Sequence, residues 1–186
     1  FDGDGYKDLA VINHWSDDLS ILLNNGDGTF QSQVRYQIGS YPLSIFSADF
    51  DGDNDLDITV AKGFADYITV VLNKGDGSFQ VSDYYPTDLG PRSIFAADFD
   101  NDGDTDLATA NEYSYNTSIL LNNGDGTFQP AVQYPAGSRA MSIFAIDIDG
   151  DNDFDLVTAD LDADSISVLS NNGDGTFQLS LNYEVG

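Results

Sequence analysis

The chain contains no cysteine among its 186 residues, which excludes a disulfide framework and any thiolate-ligated metal. Positive charge is nearly as scarce: 6 Lys and Arg stand against 32 Asp and Glu, a formal charge of −26. Such a chain repels DNA, RNA and anionic membranes and requires cations, so no nucleic-acid partner is expected. There is one histidine, His14, with no cysteine or second histidine to work with, which is poor material for catalysis. No apolar run approaches the roughly 18 residues of a membrane span, so no membrane insertion is expected; no secretion leader is visible either. Apolar residues nowhere recur at a 3.6 period over a useful window, so helices find no support. With 41% hydrophobic and 12% aromatic residues, however, the chain can build a packed core rather than remain disordered.

Self-similarity dominates what is present. The string Gly-Asp-Gly-Thr/Ser-Phe ends at Phe30, Phe79, Phe128 and Phe177, a constant step of 49 residues. Tyr36, Tyr85, Tyr134 and Tyr183 keep the same step, as do Ser44-Ile45-Phe46, Ser93-Ile94-Phe95 and Ser142-Ile143-Phe144. Within one unit, Ser93 to Ala97, Leu107 to Ala110, Thr117 to Leu121 and Phe128 to Tyr134 are of strand length, separated by Gly, Asn and Asp turns or polar loops. The glycines of Asn123-Gly124-Asp125-Gly126 supply the positive φ that a tight hairpin needs. The expected fold is all-β: four-stranded antiparallel units repeating as β-propeller blades, with a solenoid of stacked hairpins as the alternative. The units run 1–43, 44–92, 93–141 and 142–186, the first without its opening strand, which makes an incomplete ring of about four blades. Phe1-Asp2-Gly3-Asp4 opens inside a motif seen whole three times later, which suggests an N-terminus, and any targeting signal, further upstream.

The chemistry falls between the first and second strands of each unit. Asp49, Asp51, Asp53 and Asp57 occupy loop positions 1, 3, 5 and 9; Asp98, Asp100, Asp102 and Asp106 repeat the frame, as do Asp147, Asp149, Asp151 and Asp155. In the first unit position 1 falls before Phe1, leaving Asp2, Asp4 and Asp8. Alternate carboxylates on a coiled loop can converge on one point, and calcium takes about 6 to 8 oxygens. Positions 4 and 6 are always Gly or Asn, the residues that tolerate positive φ. Position 7 is Asp55, Asp104 and Asp153 but Tyr6 in the first unit, which fits a backbone carbonyl as the ligand there. Clustered carboxylates repel one another without a cation. The all-oxygen set argues against zinc or copper and favours calcium over magnesium, about one Ca²⁺ per blade. A single Asp-rich loop of this kind can be a solvated turn, but four in-frame copies argue against that reading. An EF-hand is excluded, because position 12 is Val11, Val60, Thr109 or Thr158, inside a strand, where that motif needs Glu and flanking helices.

These motifs, Ala-Asp-Phe-Asp-Gly-Asp-Asn-Asp-Leu-Asp from Ala48 to Asp57, its relatives at Ala97 and Ile146, and the Asn-Asn-Gly-Asp-Gly-Thr-Phe turns, resemble the FG-GAP or VCBS repeat family over essentially the whole chain. These are the calcium-binding blades of integrin α-subunit propellers and of many bacterial surface proteins. The resemblance implies that the carboxylates at positions 1, 3, 5 and 9 and the carbonyl at position 7 ligate calcium at one face of the propeller. It also implies a secreted or cell-surface location and a protein or glycan ligand, while leaving the partner open. Family propellers usually close with more blades than the chain holds, so self-association or further blades are expected to complete the ring.

Other residues carry less. His14 and Trp15 lie between the second and third strands, with Phe64, Tyr113 and Asp162 as counterparts of Trp15; they either stack on sugars or a protein partner, or pack between blades, and packing is the simpler reading. Arg92 and Arg139, placed just ahead of opening strands, either anchor an acidic ligand or pair with nearby Asp, and pairing is favoured. The recurrent tyrosines and phenylalanines read as core or inter-blade packing. The expected function is a calcium-dependent adhesion or interaction module, not an enzyme; the alternative is an accessory carbohydrate-binding propeller of a secreted polysaccharide-degrading enzyme.

Overall fold

The computed structural model describes residues 1–186, folded as four antiparallel sheets in a row. Blade 1 holds β1 (Leu9–Asn13), β2 (Asp18–Leu22) and β3 (Val34–Gln37). Blade 2 holds β4 (Pro42–Ala48), β5 (Asp57–Lys62), β6 (Tyr67–Asn73) and β7 (Phe79–Pro86). Blade 3 follows with β8 (Pro91–Ala97), β9 (Asp106–Asn111), β10 (Asn116–Leu120) and β11 (Val132–Pro135). Blade 4 comprises β12 (Ala140–Ile146), β13 (Asp155–Asp160), β14 (Ser165–Leu169) and β15 (Leu181–Glu184), with one 3-10 turn at Leu161–Ala163. In every sheet consecutive strands lie side by side, the meander of a propeller blade.

Two local details differ from the sequence reading. The opening strands begin at Pro42, Pro91 and Ala140, two residues ahead of the Ser-Ile-Phe triplets, and each carries a bulge before its serine. Proline is tolerated there because the first residue of a strand need not donate to the ladder. The outer strand of blade 3 does not start at Phe128: Phe128 makes an isolated bridge with Asn122, and regular pairing resumes only at Val132. Blades 1 and 4 show the same gap without a proline: Phe30 and Phe177 bridge Asn24 and Asn171 alone, and pairing resumes at Val34 and Leu181. Blade 2 has Gln80-Val81-Ser82 after its hairpin phenylalanine and keeps one unbroken strand, β7.

The hydrophobic core lies between the blades. One cluster joins Leu19, Ile21 and Ile38 of blade 1 to Ile58, Val60, Val71 and Phe79 of blade 2. A second joins Phe50, Ala61, Ile68 and Val70 to Ile94, Leu107, Leu120 and Phe128, and a third joins blade 3 to blade 4 around Phe99 and Phe177. A sheet with a neighbour on each side must bury both faces, and β5 and β9 are buried at every residue. The opening strands β4, β8 and β12 pack against one another in turn. Phe46, Phe95 and Phe144 run across these strands as a column with ring centroids 5.1 and 4.9 Å apart. Tyr36, Tyr85 and Tyr134 each meet the hairpin phenylalanine of the next blade edge-on, at 5.8, 5.3 and 5.5 Å.

Candidate metal centres

The Asp-rich loops connect the first strand of each blade to the second and share one end of the molecule with the Gly-Asp-Gly hairpins, as the up-and-down strand order requires. Every Gly or Asn at loop positions 4 and 6 has positive φ, from 61° at Asn101 to 97° at Gly103. The coil this produces turns the side chains inward, and position 1 caps it. Asp49 accepts the Gly52 and Asn54 N–H groups at 2.8 and 2.9 Å, and Asp147 accepts those of Gly150 and Asn152 at 2.7 and 3.1 Å. Carboxylate oxygens of Asp49, Asp51 and Asp53 lie within 4.8 Å of one another, as do those of Asp98, Asp100 and Asp106 and of Asp147, Asp149 and Asp155. In blade 1, Asp2, Asp4 and Asp8 form no such cluster.

Sequence spacing does not reveal that position 9 has a second task. Asp57, Asp106 and Asp155 are fully buried. Asp57 accepts the Phe50 N–H at 3.0 Å with one oxygen and the Asn73 N–H at 2.7 Å with the other. Asp106 does the same with Phe99 and Asn122, and Asp155 with Ile148 and Asn171. The carboxylate therefore clamps the metal loop to the hairpin of its own blade, and only its remaining lone pairs are free for an ion. Position 7 divides its roles differently. The Asp55, Asp104 and Asp153 side chains, and the Tyr6 ring, lie over Gly75, Gly124, Gly173 and Gly26, where a β-carbon would collide with them. These side chains are turned to the hairpin, and the backbone carbonyl is what the loop offers at that position.

The electrostatics call for a cation. Burial, with the Asp51 and Asp53 charges added, outweighs two backbone donors and pushes Asp57 up to about 6. The same balance takes Asp106 to about 7. Burial and the neighbouring position-5 carboxylate also raise Asp51, Asp100 and Asp149. At Asp98 one oxygen accepts the Gly103 N–H at 3.0 Å, while Oδ1 is buried without any partner. A buried carboxylate oxygen with no donor is costly, and a hard cation among Asp98, Asp100 and Asp106 would satisfy it. The residues fit calcium.

The opposite end of the molecule gathers residues that sequence separation hides. Ring centroids step from Trp15 to His14 at 5.0 Å, to Tyr41 at 5.5 Å, to Phe64 at 4.8 Å and to Tyr113 at 6.1 Å. Trp15 is 92% exposed, and Tyr41, Phe64 and Tyr113 are also open to solvent, so the row crosses three blades on the surface. Tyr41 had no signal in the repeat, since its counterparts are Gly90 and Arg139. Beside the row, Arg92, which lies inside β8 rather than ahead of it, pairs with Glu112 at 2.9 Å; Arg139 pairs with Glu112 at 2.5 Å and with Asp162 at 3.3 Å. Burial pushes Glu112 up, but the two guanidiniums outweigh it and hold it below the ordinary carboxylate value. Both arginines are thus committed to internal pairs, chiefly with a glutamate. Lys62 is buried, donates to the Gly39 carbonyl at 3.0 Å, and is lowered by burial to about 8.

The model of the FG-GAP-like repeat matches residues 1–60, 49–109 and 98–158. The chain belongs to the FG-GAP-like repeat family. Each match runs from one Asp-rich loop to the next, the unit that the 49-residue period marks. Among solved structures, an Agrocybe aegerita lectin, described for specific recognition of non-reducing terminal N-acetylglucosamine, is 25% identical with a TM-score of 0.65, over 97% of this chain and 49% of the lectin chain. BBS1N, solved in complex with ARL6DN, is 14% identical with a TM-score of 0.67, over 99% of this chain and 54% of its own. The V. cholerae biofilm matrix protein Bap1 is 20% identical with a TM-score of 0.60, over 98% of this chain and 27% of its own. The latter two likenesses concern the fold alone. This FG-GAP chain spans about half the length of the lectin and BBS1N chains. No curated protein sequence matches it significantly.

Proposed function

We propose that this FG-GAP propeller is a calcium-binding interaction module that works outside the cell, in adhesion or protein recognition, and not an enzyme. The observation that carries the reading is the in-frame repetition of a three-carboxylate cluster in blades 2, 3 and 4, with the orphaned Asp98 Oδ1 inside one of them. Calcium, when bound, would supply the positive charge that these loops lack. The chain's own residues do the rest: positive-φ Gly and Asn coil the loop, position 1 caps it, and position 9 ties it to the hairpin. Millimolar extracellular calcium suits such exposed all-oxygen loops, which supports a secreted or surface location. His14, the only histidine, has Nδ1 3.3 Å from the Pro42 carbonyl and its ring against Trp15 and Tyr41, an arrangement of packing rather than of proton transfer. Calorimetric titration of the metal-free chain should show three calcium sites, with blade 1 weaker or silent. Asp53→Ala should weaken one of the three about tenfold or more, by removing one carboxylate from the blade 2 set. Unchanged stoichiometry and affinity in that variant, or no heat at all from the parent chain, would overturn the assignment.

A second reading, a glycan-binding propeller, is favoured by the exposed aromatic row from Trp15 to Tyr113 and by the likeness to a lectin. Sugar rings stack on exposed aromatic faces, and Trp15 offers the largest free one. A glycan array that includes N-acetylglucosamine-terminated chains separates the readings. Binding abolished by Trp15→Ala supports this one; an array with no signal removes it.

A further inference from the structure

Two buried asparagines, one at each internal junction, join neighbouring metal loops. Asn122 is 3% and Asn171 4% exposed. The Asn122 backbone N–H donates to Asp106, position 9 of the blade 3 loop, at 2.7 Å, while its side-chain Nδ2 donates to the Phe50 carbonyl, position 2 of the blade 2 loop, at 2.9 Å. Asn171 makes the same pair of bonds, to Asp155 of blade 4 at 2.9 Å and to the Phe99 carbonyl of blade 3 at 2.8 Å. In each case Nδ2 also donates to the position-8 carbonyl, of Thr105 or Phe154, and Oδ1 accepts the N–H of Gly124 or Gly173. Neither side-chain amide is free to turn.

The position-2 residues complete the path. Phe99 donates its N–H to Asp106 at 2.8 Å, and its carbonyl accepts both Asn171 and the Gly175 N–H, the latter at 3.0 Å. The position-9 carboxylates of blades 3 and 4 are thus joined by an unbroken chain of hydrogen bonds through Phe99 and Asn171. Phe50 and Asn122 join Asp57 to Asp106 in the same way. Position 2 lies between the carboxylates of positions 1 and 3, so its peptide governs how those two are held. The junction of blades 3 and 4 has a second strut. Asn101, at position 4 of the blade 3 loop, donates to Asp153, at position 7 of the blade 4 loop, at 2.8 Å and to the Gly173 carbonyl at 3.2 Å. Blade 2 has Gly52 at that position, with no side chain to reach across.

We infer that the metal loops of blades 2, 3 and 4 load cooperatively rather than independently, with Asn122 and Asn171 as positioning residues shared by adjacent loops and Asn101 making blades 3 and 4 the more tightly coupled pair. This coupling presupposes the calcium reading of the loops and deepens it. Ordering one loop around a cation fixes its position-2 peptide, the asparagine bonded to that peptide and the position-9 carboxylate beyond. The neighbouring loop then has less freedom to lose when it takes its own ion, and binds more tightly.

Amide NMR of the whole chain during calcium titration follows each loop separately, because Gly52, Gly103 and Gly150 donate their N–H groups to the position-1 aspartate of their own loops. Asp149→Ala takes one carboxylate from the blade 4 cluster and breaks none of the bonds that link the loops. It should raise the calcium needed to half-load the Gly103 loop about fivefold or more, and Asp100→Ala should raise that of the Gly150 loop by the same factor, since coupling is reciprocal. Asn101→Gly keeps the left-handed backbone without strain. In that background the factor should fall to the one that Asp51→Ala produces at Gly103, across the junction without the strut. Asn171→Ala should remove the remainder; if circular dichroism shows it unfolded, the Asn101→Gly comparison decides. Asparagines that were structural supports alone would change stability and leave the factor as it is in the parent chain, which overturns their role. Loops that load regardless of substitutions next door overturn the coupling and leave the calcium reading standing, whereas glycine resonances that never respond to calcium reject both.

Discussion

At the scale of single residues, the informative contrast is between aspartates that share one loop. Asp102 accepts a single exposed turn bond, from the Asp104 N–H at 2.9 Å. Asp106 is fully buried and holds the Phe99 and Asn122 N–H groups at 2.8 and 2.7 Å. Asp106→Ala leaves both donors buried without a partner, at about 1–3 kcal/mol each. It should lower stability in urea even with chelator present. Asp102→Ala should shift metal-free stability by about 0.5 kcal/mol or less and act on calcium affinity instead. Equal destabilisation of the two variants in chelator would contradict the clamp. The sequence displayed all of these carboxylates at even spacing, which told where oxygens gather but not which were already bonded. That distinction depends on a hairpin that returns sixteen residues later, as in the Asn122 to Asp106 bond.

Among the elements, the junction outweighs the blade. Phe128 is 6% exposed within the cluster that joins blades 2 and 3, and Phe128→Ala should cost about 3–5 kcal/mol, measured by thermal or urea unfolding. Phe30→Ala, the same motif position but 37% exposed, should cost about 1 kcal/mol or less. Comparable losses would mean that the hairpin phenylalanines stabilise their own blades rather than the junctions. The strands themselves were legible from apolar runs bounded by turn residues. The outer strand of blade 3 was not: its hairpin phenylalanine keeps only an isolated bridge, as in blades 1 and 4, and no local pattern tells a broken ladder from a whole one.

For the whole molecule, a formal charge of −26 and buried acids at each loop make stability a function of pH and calcium together. Without metal, Asp57 and Asp106 titrate near 6 and 7 in the fold, above their ordinary value of 3.8. The folded chain then holds more protons than the unfolded one, so stability is greatest below about 4 for these groups and falls as pH rises through 6 to 7. Lys62, lowered to about 8, starts to lose its proton only at the top of that window and there opposes the fall weakly. The melting temperature of metal-free protein should therefore fall between pH 5 and pH 7.5, while calcium-loaded protein holds or rises, as differential scanning calorimetry would show. A metal-free melting temperature that climbs over this interval would contradict the assignment of these buried carboxylates. The sequence by itself determined the repeat, the all-β blade, the oxygen-rich loops and their positive-φ residues, because these depend on neighbours within one turn of chain and recur in register. Only the tertiary structure decided that the cores lie between blades, that position 9 is a clamp, and that His14, Tyr41, Phe64 and Tyr113 form one surface row. The cores and the row are contacts between blades, whose residues meet only when one blade packs on the next, and the clamp closes only when the hairpin returns to its own loop sixteen residues on.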